Sequence, residues 1–296
     1  MPLPTRSAAL ALCALLGACN ETRGDNAPSA AESCRIVEAS IPLPVAVNEA
    51  SGAAFSNSYP GMFWTHNDSG NEPELYAVGM SGVTAAQVRL AGARMVDWED
   101  MAVGPCPGGR CVYVGDTGDT REATDPVTLY AVAEPPPGAS VTPRVHAYTA
   151  RYPVGQPDTE ALFVLPNGGV YLISKGSKEA IELFRWPTPL REGAPATLAR
   201  VRTLAPEPEQ TGDRVTGASA SPNGEFVAVR TYSTLLLYRT ADLLGNGRAL
   251  HRTDLMPLGE PQGEGVSLSN DGTVLLVSEG SGTHAPGSAA LLHCPL

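Results

Sequence analysis

Residues Val96 to Asp119 read V-D-W-E-D-M-A-V-G-P-C-P-G-G-R-C-V-Y-V-G-D-T-G-D. An acidic cluster leads into an apolar run, a turn at Pro107-Gly108-Gly109, a second apolar run and a second acidic cluster. Two short β-branched or apolar runs on either side of a Gly-containing turn predict an antiparallel hairpin. Its open end, away from the turn, carries carboxylates on both strands.

The same unit returns along the chain. Its starts are Glu49, Glu99, Glu160, Thr216 and Glu264, at intervals of 50, 61, 56 and 48 residues. Each start is followed by a turn, such as Pro166-Asn167-Gly168 or Asn270-Asp271-Gly272, and then by an apolar strand, such as Val170-Tyr171-Leu172-Ile173 or Val274-Leu275-Leu276-Val277. A third run, such as Thr128 to Val132, and a more polar fourth, such as Arg144 to Tyr148, complete the unit. No amphipathic helical pattern interrupts these runs, so the class is all-β. Four strands per unit at this period is the pattern of β-propeller blades. The sequence therefore predicts a β-propeller of five four-stranded blades, and the long second interval leaves room for a degenerate sixth. The last unit stops at its third strand, Ala289 to Leu292, while Arg35 to Ala39 precedes the first unit with no blade of its own. That N-terminal strand can close the ring by filling the last blade.

The cysteines agree with this closure. Residues 1–18 read as a leader: Arg6 is a short positive region, Ala8 to Leu16 an apolar stretch too short to span a bilayer, and Leu16-Gly17-Ala18-Cys19 resembles the bacterial lipobox, with Cys19 the lipidated first residue. Residues 19–33 are small and polar and read as a flexible tether, leaving 34–296 as one domain. Of the four remaining cysteines, Cys106 and Cys111 flank one hairpin turn, which leaves Cys34 with Cys294. Ring closure sets those two on neighbouring strands. Paired cysteines imply an oxidising compartment, and the expected location is the bacterial envelope, lipid-anchored and periplasmic or surface-exposed, with the outer membrane favoured.

The chain carries a formal charge of −11, one unit more negative once Arg6 leaves with the leader. This excludes a nucleic-acid or polybasic membrane partner and leaves membrane contact to the lipid anchor alone. Divalent cations, a small molecule or an envelope protein remain as partners.

In a propeller the start of each inner strand and the loop leaving the second strand surround one mouth of the central axis. The starts give Glu49, Glu99, Glu160, Thr216 and Glu264, with Asp97 and Asp158 two residues ahead of two of them. The second-strand exits give Asp68, Asp116, Lys175, Arg230 and Glu279. Carboxylates converging on one mouth repel and must be protonated, paired or neutralised by a cation. Oxygen-only donors with no nearby thiol select Ca²⁺ or Mg²⁺ rather than zinc. The metal candidates are Glu49, Asp97, Glu99, Glu160 and Glu264. Asp68, Lys175, Arg230 and Glu279 are ligand-binding candidates, and Lys175 and Arg230 would meet an anionic group. Glu99, Asp116, Lys175 and Arg230 are the catalytic candidates if the mouth is an active site. His66 is a further base or ligand candidate, while Trp98 is expected to pack between blades.

Ser51-Gly52-Ala53, Asp97-Trp98-Glu99-Asp100-Met101-Ala102, Gly115-Asp116-Thr117-Gly118-Asp119 and Gln262-Gly263-Glu264-Gly265 resemble signatures of exported bacterial propellers of the phytase-like and SMP-30/gluconolactonase-like group. That resemblance implies an inner ring of acids binding calcium, with Glu49, Glu99, Glu160 and Glu264 in the ring, and a capacity for phosphate-ester or lactone hydrolysis. Thr216 departs from the acid pattern, and five blades depart from the six usual in that group. Two functions follow as expectations: a calcium-binding ligand or protein module of the envelope, or a metal-dependent hydrolase at the mouth.

Overall fold

The computed structural model describes Met1 and residues 33–118, 126–136, 138–282 and 285–296. Cys19, the leader beyond Met1, most of the tether, Asp119 and His284 lie outside the described residues.

Five sheets hold nearly all of the regular secondary structure among the described residues. The first blade is Ala50–Phe55, Met62–Asn67, Glu74–Gly79 and Thr84–Arg89; the second is Trp98–Cys106, Gly109–Asp116, Val127–Ala133 and His146–Arg151. The third is Thr159–Val164, Val170–Ser174, Ile181–Arg185 and Ala199–Ala205, and the fourth Val215–Ala220, Phe226–Thr231, Thr234–Arg239 and His251–Asp254. The fifth is Gln262–Leu268, Thr273–Glu279 and Ser288–His293, completed by the N-terminal strand Arg35–Pro42 on its outer edge. The inner strands touch one another in chain order, and the fifth touches the first. The protein is a closed five-bladed propeller. Among the described residues the long second interval holds connections, not a sixth blade. The third blade also lends Ala196–Thr197, which pairs in parallel with the outer strand of the second.

Each blade exposes apolar residues on both faces because strand side chains alternate. The faces meet those of the neighbours, and among the described residues five apolar clusters fill the five gaps. The gap between blades one and two holds Trp64, Leu75, Trp98, Met101 and Tyr130; that between five and one holds Leu43, Phe63, Val78, Leu275 and Val277. Closure is covalent as well. Cys34 bonds Cys294, and Cys106 bonds Cys111 across its hairpin turn. In the chain-entropy model a loop of 260 residues gains about 5 kcal/mol from its bond, and the five-residue loop less than half of that. Two disulfides place the folded chain in an oxidising, extracytoplasmic setting. Among the described residues no helix is long and apolar enough to cross a membrane.

Candidate functional site: an acidic mouth at one end of the axis

All five inner strands share an irregularity at the same height. Ala50 to Ala53 spans the partner step Asn67 to Thr65, and Trp98 to Met101 spans Asp116 to Val114. Thr159 to Ala161, Val215 to Gly217 and Gly263 to Val266 do likewise. The inner strand carries one residue more than its partner in every blade, which is a β-bulge, a device that re-aims a side chain beside a site. The register makes Ser51, Glu99, Glu160, Thr216 and Glu264 equivalent. Two residues earlier stand Glu49, Asp97, Asp158, Arg214 and Gln262.

The bulges turn Ser51, Glu99, Glu160 and Glu264 toward the axis, where they line a cavity of about 180 Å³ with Asp68, Asp97, Asp158, Lys175 and Gln262. Carboxylate oxygens of Asp68, Asp97 and Glu99 lie within 4.8 Å of one another, and those of Glu99, Asp158 and Glu160 do the same. Glu99 belongs to both groups. Lys175 stands against the second, with Nζ 2.7 Å from Glu160 Oε1 and 3.7 Å from Asp158 Oδ2. Where the bulge residue is not acidic, it ties its blade to the next. Ser51 Oγ donates to the Glu99 carbonyl, and Thr216 Oγ1 donates to the Glu264 carbonyl at 2.9 Å.

The electrostatics follow from this crowding. Burial, and then the facing carboxylates of Glu160, Asp68, Asp97 and Asp158, push the Glu99 carboxyl well above the usual range. Burial also raises Glu160, although Lys175 opposes it. Glu264 is pushed up to about 8 by burial, against a hydrogen bond from Gln262, and Glu279 to about 7 by burial and the charges of Asp68 and Glu49. Burial raises Asp68, against the Ser69 N–H it accepts. Burial works against the Lys175 ammonium, yet Glu160 and Asp158 outweigh it and raise its pKa.

A divalent cation fits this donor set. Oxygens around one calcium ion stand at most about 5 Å apart, since each lies about 2.4 Å from the ion. Every donor is a hard oxygen. Gly118 adds a second indication: a Cβ there would collide with Asp97 Oδ2 and Glu99 Oε1, so the absent side chain keeps the space between these carboxylates open. The buried acidic clusters can therefore hold a metal ion. Lys175 already balances the Glu160 and Asp158 side, which directs a cation to Asp68, Asp97 and Glu99.

Other sequence candidates sit elsewhere. Glu49 is half-buried beside the mouth and accepts a hydrogen bond from Asn71 at 2.6 Å; it is equivalent to Asp97, not to Glu99. Asp116 is buried and accepts the Asp97 backbone N–H at 2.8 Å, so it sets the strand start that carries the acids. Glu279 and Glu264 are bridged by the Gln262 amide, 2.7 Å from each. Arg230 is fully buried and not available to an incoming anion: it pairs with Glu260 and donates to the carbonyls of Gly265 and Val277. The residue equivalent to Lys175 in blade four is Tyr232, whose hydroxyl pKa is raised by burial and then by Glu264. His66 is fully buried and its pKa falls to about 4 through burial, so the ring is neutral and Nδ1, 2.9 Å from the Asn67 carbonyl, is its donor. Trp98 packs edge-on to His66 at 5.5 Å and donates from Nε1 to the Arg94 carbonyl, as a residue between blades would. His146, His251 and His293 lie at the opposite face.

Below the mouth the Asp100 carboxyl joins the inner strands of blades two, three and four. Met101, Leu162, Ala218 and Val266 are buried beside it, and a second cavity toward the far side is lined instead by Ala54, Gly104, Val164 and Ser267. Sequence reading missed Asp158 as a full member of the acidic group, Tyr232 and Gly118. The tandem Asp158-Thr159-Glu160, parallel to Asp97-Trp98-Glu99, was the available signal for the first.

No protein-family model and no curated protein sequence matches this chain. Solved structures do resemble it. The PQQ-bound form of aldose sugar dehydrogenase from Streptomyces coelicolor aligns with a TM-score of 0.54 at 11% identity over 89% of this chain and 98% of that one. A glucose dehydrogenase aligns with a TM-score of 0.52 at 9% identity over 87% and 99%. A gluconolactonase from Xanthomonas campestris aligns with a TM-score of 0.47 at 12% identity over 89% and 95%. At such identities the two dehydrogenase likenesses show the propeller fold and nothing about its chemistry.

Proposed function

We propose that this propeller binds one divalent cation, calcium, at Asp68, Asp97 and Glu99, and uses the charged mouth to hold a ligand or protein partner at the bacterial envelope. The observation that carries the reading is the pair of carboxylate groups sharing Glu99, within 4.8 Å in each case, in a cavity with Lys175 as the built-in cation. Calcium supplies charge neutralisation there and a point of attachment for an oxygen-bearing ligand. Lys175 and the Tyr232 hydroxyl then face that ligand from the opposite arc and suit an anionic group. Lipidation at Cys19 would tether the domain to its membrane, the outer one favoured.

The bipolar mouth supports a second reading, hydrolysis of a phosphoester or a lactone. A cation beside a fixed ammonium is an arrangement that stabilises developing negative charge, and the resemblance to phytase-like and gluconolactonase-like propellers points the same way. In it, Glu99 helps hold the cation and Lys175 orients the substrate anion. The two readings are separated by assaying a generic phosphomonoester and an aldonolactone with calcium and with chelator. Chelator-sensitive turnover abolished by Glu99→Gln and Lys175→Ala establishes the hydrolase. Calcium binding without turnover on either substrate leaves the binding module.

A further inference from the structure

We infer that Asp100 is the positioning residue of the mouth: its buried carboxylate gathers three inner strands and so fixes how closely the acids of blades two and three converge. This rests on the cation reading above. Asp100 follows Glu99 directly, inside the bulge of blade two. Its Oδ1 accepts the Met101 backbone N–H at 2.8 Å, and its Oδ2 accepts the N–H of Leu162 in blade three at 2.8 Å and of Ala218 in blade four at 3.0 Å.

The equivalent positions in the other blades show why only one such residue is present. They are Gly52, Ala161, Gly217 and Gly265. A Cβ at Gly52 would stand 2.7 Å from the Met101 nitrogen, one at Gly217 2.8 Å from the Glu264 carbonyl oxygen, and one at Gly265 would strike the backbone of Ser51 to Ala53. At this height each side chain points at the next blade, and the strands come too close to admit one. Blade two alone carries a side chain longer than alanine's, and it reaches across two neighbours. Leu162 is two residues from Glu160, and Ala218 two from Thr216. Three N–H bonds to one carboxylate therefore lock the backbone directly beneath those positions. A carboxyl group held by several backbone N–H groups is a directional anchor, and these bonds oppose the burial that raises the Asp100 pKa; partners that orient metal ligands typically change metal affinity by about 10–100-fold when replaced.

The test uses the full chain, stripped of metal, with Asp100→Asn as an isosteric variant and Glu134→Gln at the opposite face as a destabilised comparison. Terbium serves as the calcium probe, read by titration and by luminescence lifetime in H₂O and D₂O. Asp100→Asn is expected to weaken terbium binding by about tenfold or more and to add at least one water to the bound ion. Glu134→Gln should change neither. Equal affinity and equal hydration in Asp100→Asn and wild type overturn the inference. If Asp100→Asn does not fold, hydrogen exchange of the wild type decides. The Leu162 and Ala218 amides should then exchange only with global unfolding, and rapid local exchange there overturns it. If wild type binds no terbium yet those amides are protected and Asp100→Asn releases them along with Glu160 and Thr216, the cation reading fails while the positioning role stands.

Discussion

Buried carboxylates occupy both ends of this ring, and they are treated in opposite ways. At the far face Glu134 is enclosed between blades one and two. Its oxygens accept hydrogen bonds from Ser56 Oγ at 2.6 Å, from Ser58 N at 3.2 Å and Ser58 Oγ at 2.5 Å, and from Trp64 Nε1 at 3.0 Å. Neutral donors fill the site, and no cation is called for. At the mouth Glu99 is as deeply buried, yet the groups around it are Asp68, Asp97, Asp158 and Glu160. The first arrangement fastens two blades. The second crowds acids together with Lys175 set against the Glu160 and Asp158 side, and on the proposed reading a bound cation completes it. Burial alone distinguishes nothing; what the carboxylate faces does.

Substitution should break the comparison most sharply. Glu99→Gln is expected to lower calcium affinity by about a hundredfold or more, since removing one charged ligand shifts oxygen sites by decades, with the fold intact. Glu134→Gln should leave affinity alone and lower unfolding stability by about 1–3 kcal/mol, because its amide group cannot accept from donors that are then left unsatisfied. Calorimetric titration and denaturant unfolding of both variants check this; a loss of calcium affinity in Glu134→Gln would erase the distinction between the two ends. Gly118→Ala should have the next largest effect, roughly a tenfold loss of affinity, because its methyl enters the space between Asp97 and Glu99. Unchanged affinity in that variant would move the cation away from these two residues.

The smallest effect is a pH dependence whose sign differs from that of a protein held together by ion pairs. Glu264 at about 8 and Glu279 at about 7 have folded pKa values above the unfolded value of about 4.3. Between those limits the folded state holds more protons than the unfolded one, so stability falls as pH rises from about 4.5 to about 8. The thermal midpoint in chelator should therefore drop between pH 5 and pH 8, and calcium should flatten that slope. A midpoint that rises over the same interval in chelator would contradict the crowding of uncompensated acids.

The fold was legible because each blade repeats the same turn, apolar strand and third strand, and because Arg35 to Ala39 had no blade unless it closed the last one. The Cys34–Cys294 bond followed from the same closure, and Cys106–Cys111 from the hairpin turn between them. The site was legible only to within one or two residues. Aligning units on their first acid set Glu49 beside Glu99, whereas the register sets Ser51 there. The extra residue in each inner strand leaves no mark in hydrophobic periodicity. A two-residue misalignment of the second strand put Arg230 at the mouth, when it lies deeper in an ion pair with Glu260 and Tyr232 takes the position equivalent to Lys175. Asp100 could not be separated from its neighbours in Asp97-Trp98-Glu99-Asp100, since only the structure shows three backbone N–H groups converging on it.

The central claim is that the mouth holds a divalent cation, and crystals of the stripped protein grown with and without calcium test it most directly. The account predicts an anomalous-difference peak among the carboxylates of Asp68, Asp97 and Glu99, present only with calcium. A mouth without that peak at saturating calcium, with Glu99 protonated and hydrogen-bonded to a neighbouring carboxylate, would contradict it.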